Sequence, residues 1–305
     1  MNRVHHTAIL CFILSLPCLA QTEDESWLSL SRLSLSVTTG YHLNPWKNYN
    51  QAVETAARSV SADPFFIEPR GFYERIEGSG TIEALVSYRV YERVSAVLYG
   101  SYGEFEAGME FYPDPAQLPS GRSSLAFHQH ISYQQQTFGV GAQYEFHPAD
   151  AFLLTIKATV DYYDADIGIR WRHNRNATGP LPENTGEHLE AELHATTYGA
   201  TVSGGAQVHL WGPVHFGGQI RYRFATLKNF EGPAKFFFSS SATERPFTAE
   251  LVEASNYFGV RVKDSSALVF LPPLTFLTEP DETARVPASI HLSSFGVTGG
   301  IIIRF

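Results

Sequence analysis

Three groups of residues have the types and spacing to do chemistry. His128 and His130 stand two apart, which on a strand points both imidazoles to one side and could begin a metal site. No third ligand follows nearby, so the plainer reading is a pair of surface histidines. His291 and Ser293 share that spacing, and a membrane-embedded acyl hydrolase needs a serine and a histidine within hydrogen-bond reach. Small polar residues alternating along a strand account for them equally well. The third group is Glu83, Arg89, Glu145, Lys157, Asp161, His209, Arg221, Arg223 and Arg304, which fall on the polar side of segments whose other side is apolar. Enclosed together, such charges must pair. They would form either a salt-bridged plug or a path for protons or ions. No G-x-S-x-G elbow, His-Glu-x-x-His helix or phosphate loop is present. No catalytic residues, cofactor or metal are assigned, and the chain is not expected to be an enzyme.

The elements that must position these residues are strands. Apolar and polar residues alternate with period two in eight segments. Leu33 to Tyr41, Ile82 to Val90, Val94 to Tyr102 and Phe138 to Phe146 make four. Phe152 to Tyr162, Tyr198 to Leu210, Val214 to Phe224 and Phe295 to Phe305 complete the set. The connections near 91–93, 147–150 and 211–213 are short, and those near 42–80, 105–131, 164–195 and 228–289 are long. The two sizes alternate strictly, as short periplasmic turns and long external loops do in a membrane barrel, whereas a soluble sandwich has no reason to sort its loops this way. In the first long loop Tyr49, Val53, Ala56, Ala57 and Val60 have helical spacing, which suggests a short amphipathic helix over the barrel mouth or against the membrane surface. In the last, Leu251 to Val262 and Ala267 to Leu277 could stand as a hairpin above the membrane or enter the barrel and make ten strands. Pro272 and Pro273 favour eight.

Aromatic residues make up 13% of the chain. Trp27, Tyr41, Tyr88, Tyr91, Phe146, Tyr162, Trp171, Trp211, Phe224 and Phe305 fall where strands would cross the membrane interfaces, which amphipathic rings favour. The first twenty residues read as a secretory signal cleaved after Ala20, with Arg3 before an apolar stretch from Ala8 to Leu16. Residues 21–305 then form one barrel domain. A lipoprotein signal at Cys18 is the rival, but Pro17 stands where a small residue belongs. Cys11 and Cys18 both lie in the leader, so the mature chain needs no disulfide. A formal charge of -9 argues against nucleic acid as a partner. No later apolar run is long enough for a membrane helix.

Phe305, Ile303, Ile301 and Val297 occupy alternate positions of the last segment. A closing strand of this kind resembles the signal that the outer-membrane assembly machinery reads. The whole pattern is similar in architecture to the eight-stranded bacterial outer-membrane barrels of the outer-membrane protein A, X and W types. That resemblance implies an all-β, transmembrane, antiparallel up-and-down β-barrel, monomeric, with a narrow or side-chain-filled interior. It implies an outer-membrane location, and as partners outer-membrane lipid, lipopolysaccharide and the barrel-assembly machinery. Unlike the outer-membrane protein A type, the chain stops at its last strand, so no periplasmic peptidoglycan-binding domain is expected. The expected role is structural or surface-interacting, through the external loops. The alternatives are a narrow channel or transporter for small or apolar solutes and, third, a lipid hydrolase.

Overall fold

Alternating segments joined by short turns pair with their sequence neighbours, and here they do so all the way round. The computed structural model describes residues 30–43, 46–47, 49–54, 70–112, 125–149, 151–175, 187–238, 243–254, 257–263 and 286–305. The leader, Trp27, helix positions 56–60 and the apolar segment 267–277 lie outside the described residues. The strands are β1 (Leu33–Leu43), β2 (Arg70–Tyr73), β3 (Gly78–Tyr91), β4 (Val94–Tyr112), β5 (Leu125–Ala149), β6 (Phe152–Arg175), β7 (Glu187–Trp211) and β8 (Val214–Phe224). They continue as β9 (Thr226–Lys228), β10 (Glu231–Phe238), β11 (Thr243–Ala254), β12 (Tyr257–Val262), β13 (Val286–Pro287), β14 (Ser289–His291) and β15 (Phe295–Arg304).

Eight of these, β1, β3, β4, β5, β6, β7, β8 and β15, form a closed antiparallel ring. They are the eight segments legible in the sequence. The seam closes β15 on β1, with Ser34 opposite Arg304 and Tyr41 opposite Val297. Tight turns close one end at residues 92–93 and 212–213, where Gly212 adopts a left-handed φ of 52° that glycine takes without strain. The start of β1 and the end of β15 meet at that same end.

Four neighbouring strands, β4 to β7, are far longer than a membrane requires. β5 and β7 each run 25 residues and β6 runs 24, against about ten for a tilted spanning strand. Their inward positions stay the same throughout, but the chemistry of the two faces changes places partway up. On β6, Leu154, Ile156, Val160 and Tyr162 point outward while Thr155, Lys157, Thr159 and Asp161 are buried inside. From Tyr163 onward the buried positions become apolar, at Ala165, Ile167, Ile169 and Trp171, and the outward ones become Asp164, Asp166, Arg170 and Arg172. β5 changes between Tyr133 and Phe138. β7 changes between Ala195 and Tyr198, and β4 between Tyr102 and Phe105.

Below the crossover the barrel is inside-out, with Ile156 and Val160 each 63% exposed and Asp161 fully buried. Such a belt of outward apolar side chains is stable only where hydrocarbon replaces water. Ten residue steps on β6, from Phe152 to Tyr162, rise about 25 Å at the usual tilt, the height of the apolar band on membrane barrels. Aromatic rings mark the upper rim, with Tyr162 and Tyr198 5.4 Å apart and Tyr222 4.6 Å from Phe224 and 4.8 Å from Phe295.

Above the crossover the wall is built like a water-soluble protein. β10, β11 and β12 extend the sheet from the upper half of β7, and β2 adds to the upper half of β4. Residues 47 and 49–54 are helical and lie within this curved sheet. Trp46 meets Phe105 and Tyr133 edge-on at 5.0 and 5.4 Å, and Tyr49 meets Phe258 at 5.7 Å. Tyr49, Val53, Ile131, Ile167, Leu193 and Leu251 share this core, each at most 2% exposed.

Several expectations are corrected. The spans 105–131 and 164–195 are mostly strand rather than loop, because the apolar face moves from one set of alternate positions to the other, and a change of face looks like the end of a strand. The ten-stranded alternative fails: β7 pairs directly with β8, so the ring closes at eight, and the described part of Leu251 to Val262 pairs beside β10 above the barrel. The helix caps the mouth from inside and does not lie on a membrane surface. Trp171 is 5% exposed in the upper core and is not an interface aromatic.

Candidate functional site

The barrel lumen holds the polar face of every spanning strand, and its charges are organised in two storeys. In the lower one, Arg304 donates to both oxygens of Glu145 at 3.0 and 2.9 Å and to Gln207 at 3.1 Å. Gln143 donates to Glu145 at 3.0 Å, and Arg89, 41% exposed, reaches the same carboxylate at 3.8 Å. The fork of one guanidinium on one carboxylate fixes β15 to β5 across the lumen. A shallow mouth below it is lined by Ser34, Ser87, Ser95, Arg32 and Arg89.

The upper storey lies at the middle of the apolar belt. Glu83 on β3 accepts from Lys157 on β6 at 3.4 Å and from Arg221 on β8. Arg221 also donates to Thr298 on β15 at 2.8 Å. The Lys157 ammonium stands 5.0 Å above the Tyr99 ring, a cation-π contact in a dry setting. Asp161 accepts from the hydroxyls of Thr201 and Tyr163, the latter at 3.0 Å. Gly139 makes room here, since a Cβ on it would lie 2.1 Å from the Tyr99 ring and 2.4 Å from Asp161 Oδ1. A hydrogen-bonded ladder climbs from Thr137 through Gln135 to Tyr133, at 2.8 and 2.7 Å.

With Arg223, which is also buried on the inward side of β8, eight of the nine ionisable residues read from the sequence face the lumen. His209 does not join them. It sits at the exposed turn, 2.9 Å from the Gly212 carbonyl and with its ring 5.0 Å from that of His215. Of the closing-strand residues, Val297, Ile301, Ile303 and Phe305 all face outward on the apolar belt.

The other candidates are not assembled into sites. Ser293 donates to the Ala225 carbonyl at 3.3 Å, while His291 pairs with Thr226 at 3.2 Å, so neither is engaged with the other. His128 and His130 lie on the outer face of the upper wall. Burial, more than the neighbouring Arg172, holds His128 below the ordinary imidazole range, against the pull of Glu110.

One group escaped the sequence reading. Asp164 and Asp166 on β6 face His194 on β7, with His194 Nδ1 3.4 and 3.0 Å from their carboxylates. The ligand atoms lie within 4.8 Å of one another on the outer face just above the aromatic rim. The Asp-x-Asp spacing was visible, but its histidine partner comes across a long loop whose register is not.

No protein-family profile and no curated protein matches the chain. Among solved structures it is similar to a major outer membrane protein of Thermus thermophilus, at 11% identity and a TM-score of 0.39, over 90% of this chain and 99% of that one. It is also similar to the outer membrane protease OmpT of Escherichia coli, at 8% identity and a TM-score of 0.34, over 92% and 99%. The translocator domain of the autotransporter NalP from Neisseria meningitidis aligns at 7% identity and a TM-score of 0.20, over 99% and 98%. The closed eight-stranded ring with its outward apolar belt is itself the architecture of a transmembrane β-barrel. The expectation that the chain is not an enzyme is withdrawn, because one of these barrels is a protease and barrel architecture therefore gives no ground to exclude catalysis. At such identities the likeness assigns no activity to this chain.

Proposed function

We propose that this barrel works in the outer membrane through its folded extracellular wall, as a surface-interacting protein, and that its lumen is a structural plug rather than a conduit. The observation that carries this reading is Glu83. Its carboxylate, on β3, reaches across the lumen to Lys157 on β6 and Arg221 on β8, each three strands away round the ring, at the level where a channel would need open water. Each of these three side chains is at most 3% exposed. The upper core adds to it, because a wall with its own buried aromatic cluster presents a fixed surface, and rigid scaffolds are what binding surfaces require. Lipid, lipopolysaccharide and the assembly machinery are the partners this placement offers.

Planar-bilayer recording tests the plug. The refolded wild-type barrel is expected to give no unitary current steps, and the double variant Glu83→Ala/Arg221→Ala to give them. Regular steps from the wild type would defeat the reading in favour of a channel. Trypsin added to intact cells tests the wall. The cleavable residues Arg170, Arg172 and Arg261 are expected to resist digestion, because they lie in paired strands. Rapid cleavage there would mean that no folded surface exists.

A further inference from the structure

The charges in the middle of the lumen do not balance. Lys157, Arg221 and Arg223 face two carboxylates, Glu83 and Asp161, and every one of these residues is at most 4% exposed. Glu83 serves Lys157 and Arg221, while Asp161 is held by two hydroxyls. Among the described residues, Arg223 forms no ion pair. With all five ionised, one positive charge is left over inside a wall surrounded by hydrocarbon, and an uncompensated buried charge is strongly destabilising.

The groups beside Arg223 say what could compensate it. Its backbone N–H donates to the Ser294 carbonyl at 3.1 Å, and on the next inward position Arg221 lies opposite Gly296. Gly296 is also opposite His42, whose imidazole rests on it so closely that a Cβ there would lie 2.3 Å from Nδ1. His42 therefore sits over β15 next to both arginines. It is 1% exposed, and neither ring nitrogen has a partner. Arg221 Nε and the hydroxyl of Thr81, on the neighbouring strand, are also buried without partners. These unpartnered groups offer donors in a guanidinium N–H, a hydroxyl and the one N–H of a neutral imidazole, beside acceptors in the other imidazole nitrogen and Asp161 Oδ1. A cation is excluded by the charge already present. Water alone would satisfy the hydrogen bonds but leave the charge.

We propose that the lumen binds a small monovalent inorganic anion, of the chloride class, between Arg223 and His42. One surplus charge selects a monovalent ion. The ion neutralises Arg223 and accepts from the surrounding donors, so it is part of the folded barrel and not a passing solute. Because it binds the folded state alone, it stabilises by mass action.

The experiment measures thermal unfolding of the refolded barrel in detergent as chloride is exchanged for gluconate at constant ionic strength. The melting temperature is expected to rise with chloride, and Arg223→Met to remove the dependence. Equal melting temperatures in the two salts, or a chloride effect of wild-type size in R223M, overturn the proposal. Crystals of the wild type grown in bromide provide a measurement that needs no variant. An anomalous peak beside Arg223 and His42 supports the site, and its absence refutes it even where R223M fails to fold.

Discussion

Glu83→Ala is expected to destabilise the folded barrel by about 3–5 kcal/mol, the cost of removing one member of a buried ion pair and stranding the other. Here the change strands two cations, Lys157 and Arg221, which between them join β3, β6, β8 and, through Thr298, β15. Glu83→Gln keeps an acceptor for both and should cost less, so the gap between the two variants isolates the charge. The measurement is the denaturant midpoint of the refolded protein in micelles, read by the gel shift between folded and boiled chains. An E83A midpoint indistinguishable from wild type would mean that water reaches the middle of the lumen, and the plug would fail with it.

The second large effect separates the two halves of a single strand. Ile156→Arg, near the middle of the apolar belt, is expected to cost about 2–4 kcal/mol, the penalty for arginine on the lipid face of a barrel near the bilayer midplane. Eleven residues further on, Ile167→Ala should cost about 2–5 kcal/mol for a different reason, a cavity in a packed core. Ile167 is 1% exposed and points inward, whereas Ile156 is 63% exposed and points outward. Asp166→Leu, outward and above the rim, should change stability little. A barrel that tolerated Ile156→Arg as easily as Asp166→Leu would not be sitting in hydrocarbon at that level.

What could be read in advance followed from locality. The spanning segments were legible because period-two alternation needs no partner to be seen. The registers of β3 with β4, β5 with β6 and β7 with β8 follow from tight turns, as in Val94 opposite Tyr91 and Val214 opposite Trp211. The inward side of the lumen was legible for the same reason, and eight of the nine ionisable residues follow it. His209 obeys the same alternation, but the end of a strand is wet, and distance from the turn rather than side decides its surroundings. The upper core was not legible. Ile167, Ile169, Leu189 and Leu193 alternate as regularly as Leu154 and Ile156, but in the opposite phase, and a reading that looks for one apolar face stops where the face changes. Asp164, Asp166 and His194 were missed because the register across the long β6–β7 connection depends on pairing lower down, at Tyr162 with Tyr198.

The exchange of faces at Tyr162 and Tyr163 has a mechanical consequence. A barrel that slid inward by a single pleat would drag the carboxylates of Asp164 and Asp166 toward oil on one side of the wall, and one that slid outward would lift Val160 and Tyr198 into water. Because β4, β5, β6 and β7 all carry the switch, every one of them resists vertical drift in both directions, and none needs a bulge or a hinge to do so. The sequence of four neighbouring staves thereby sets the waterline of the whole molecule.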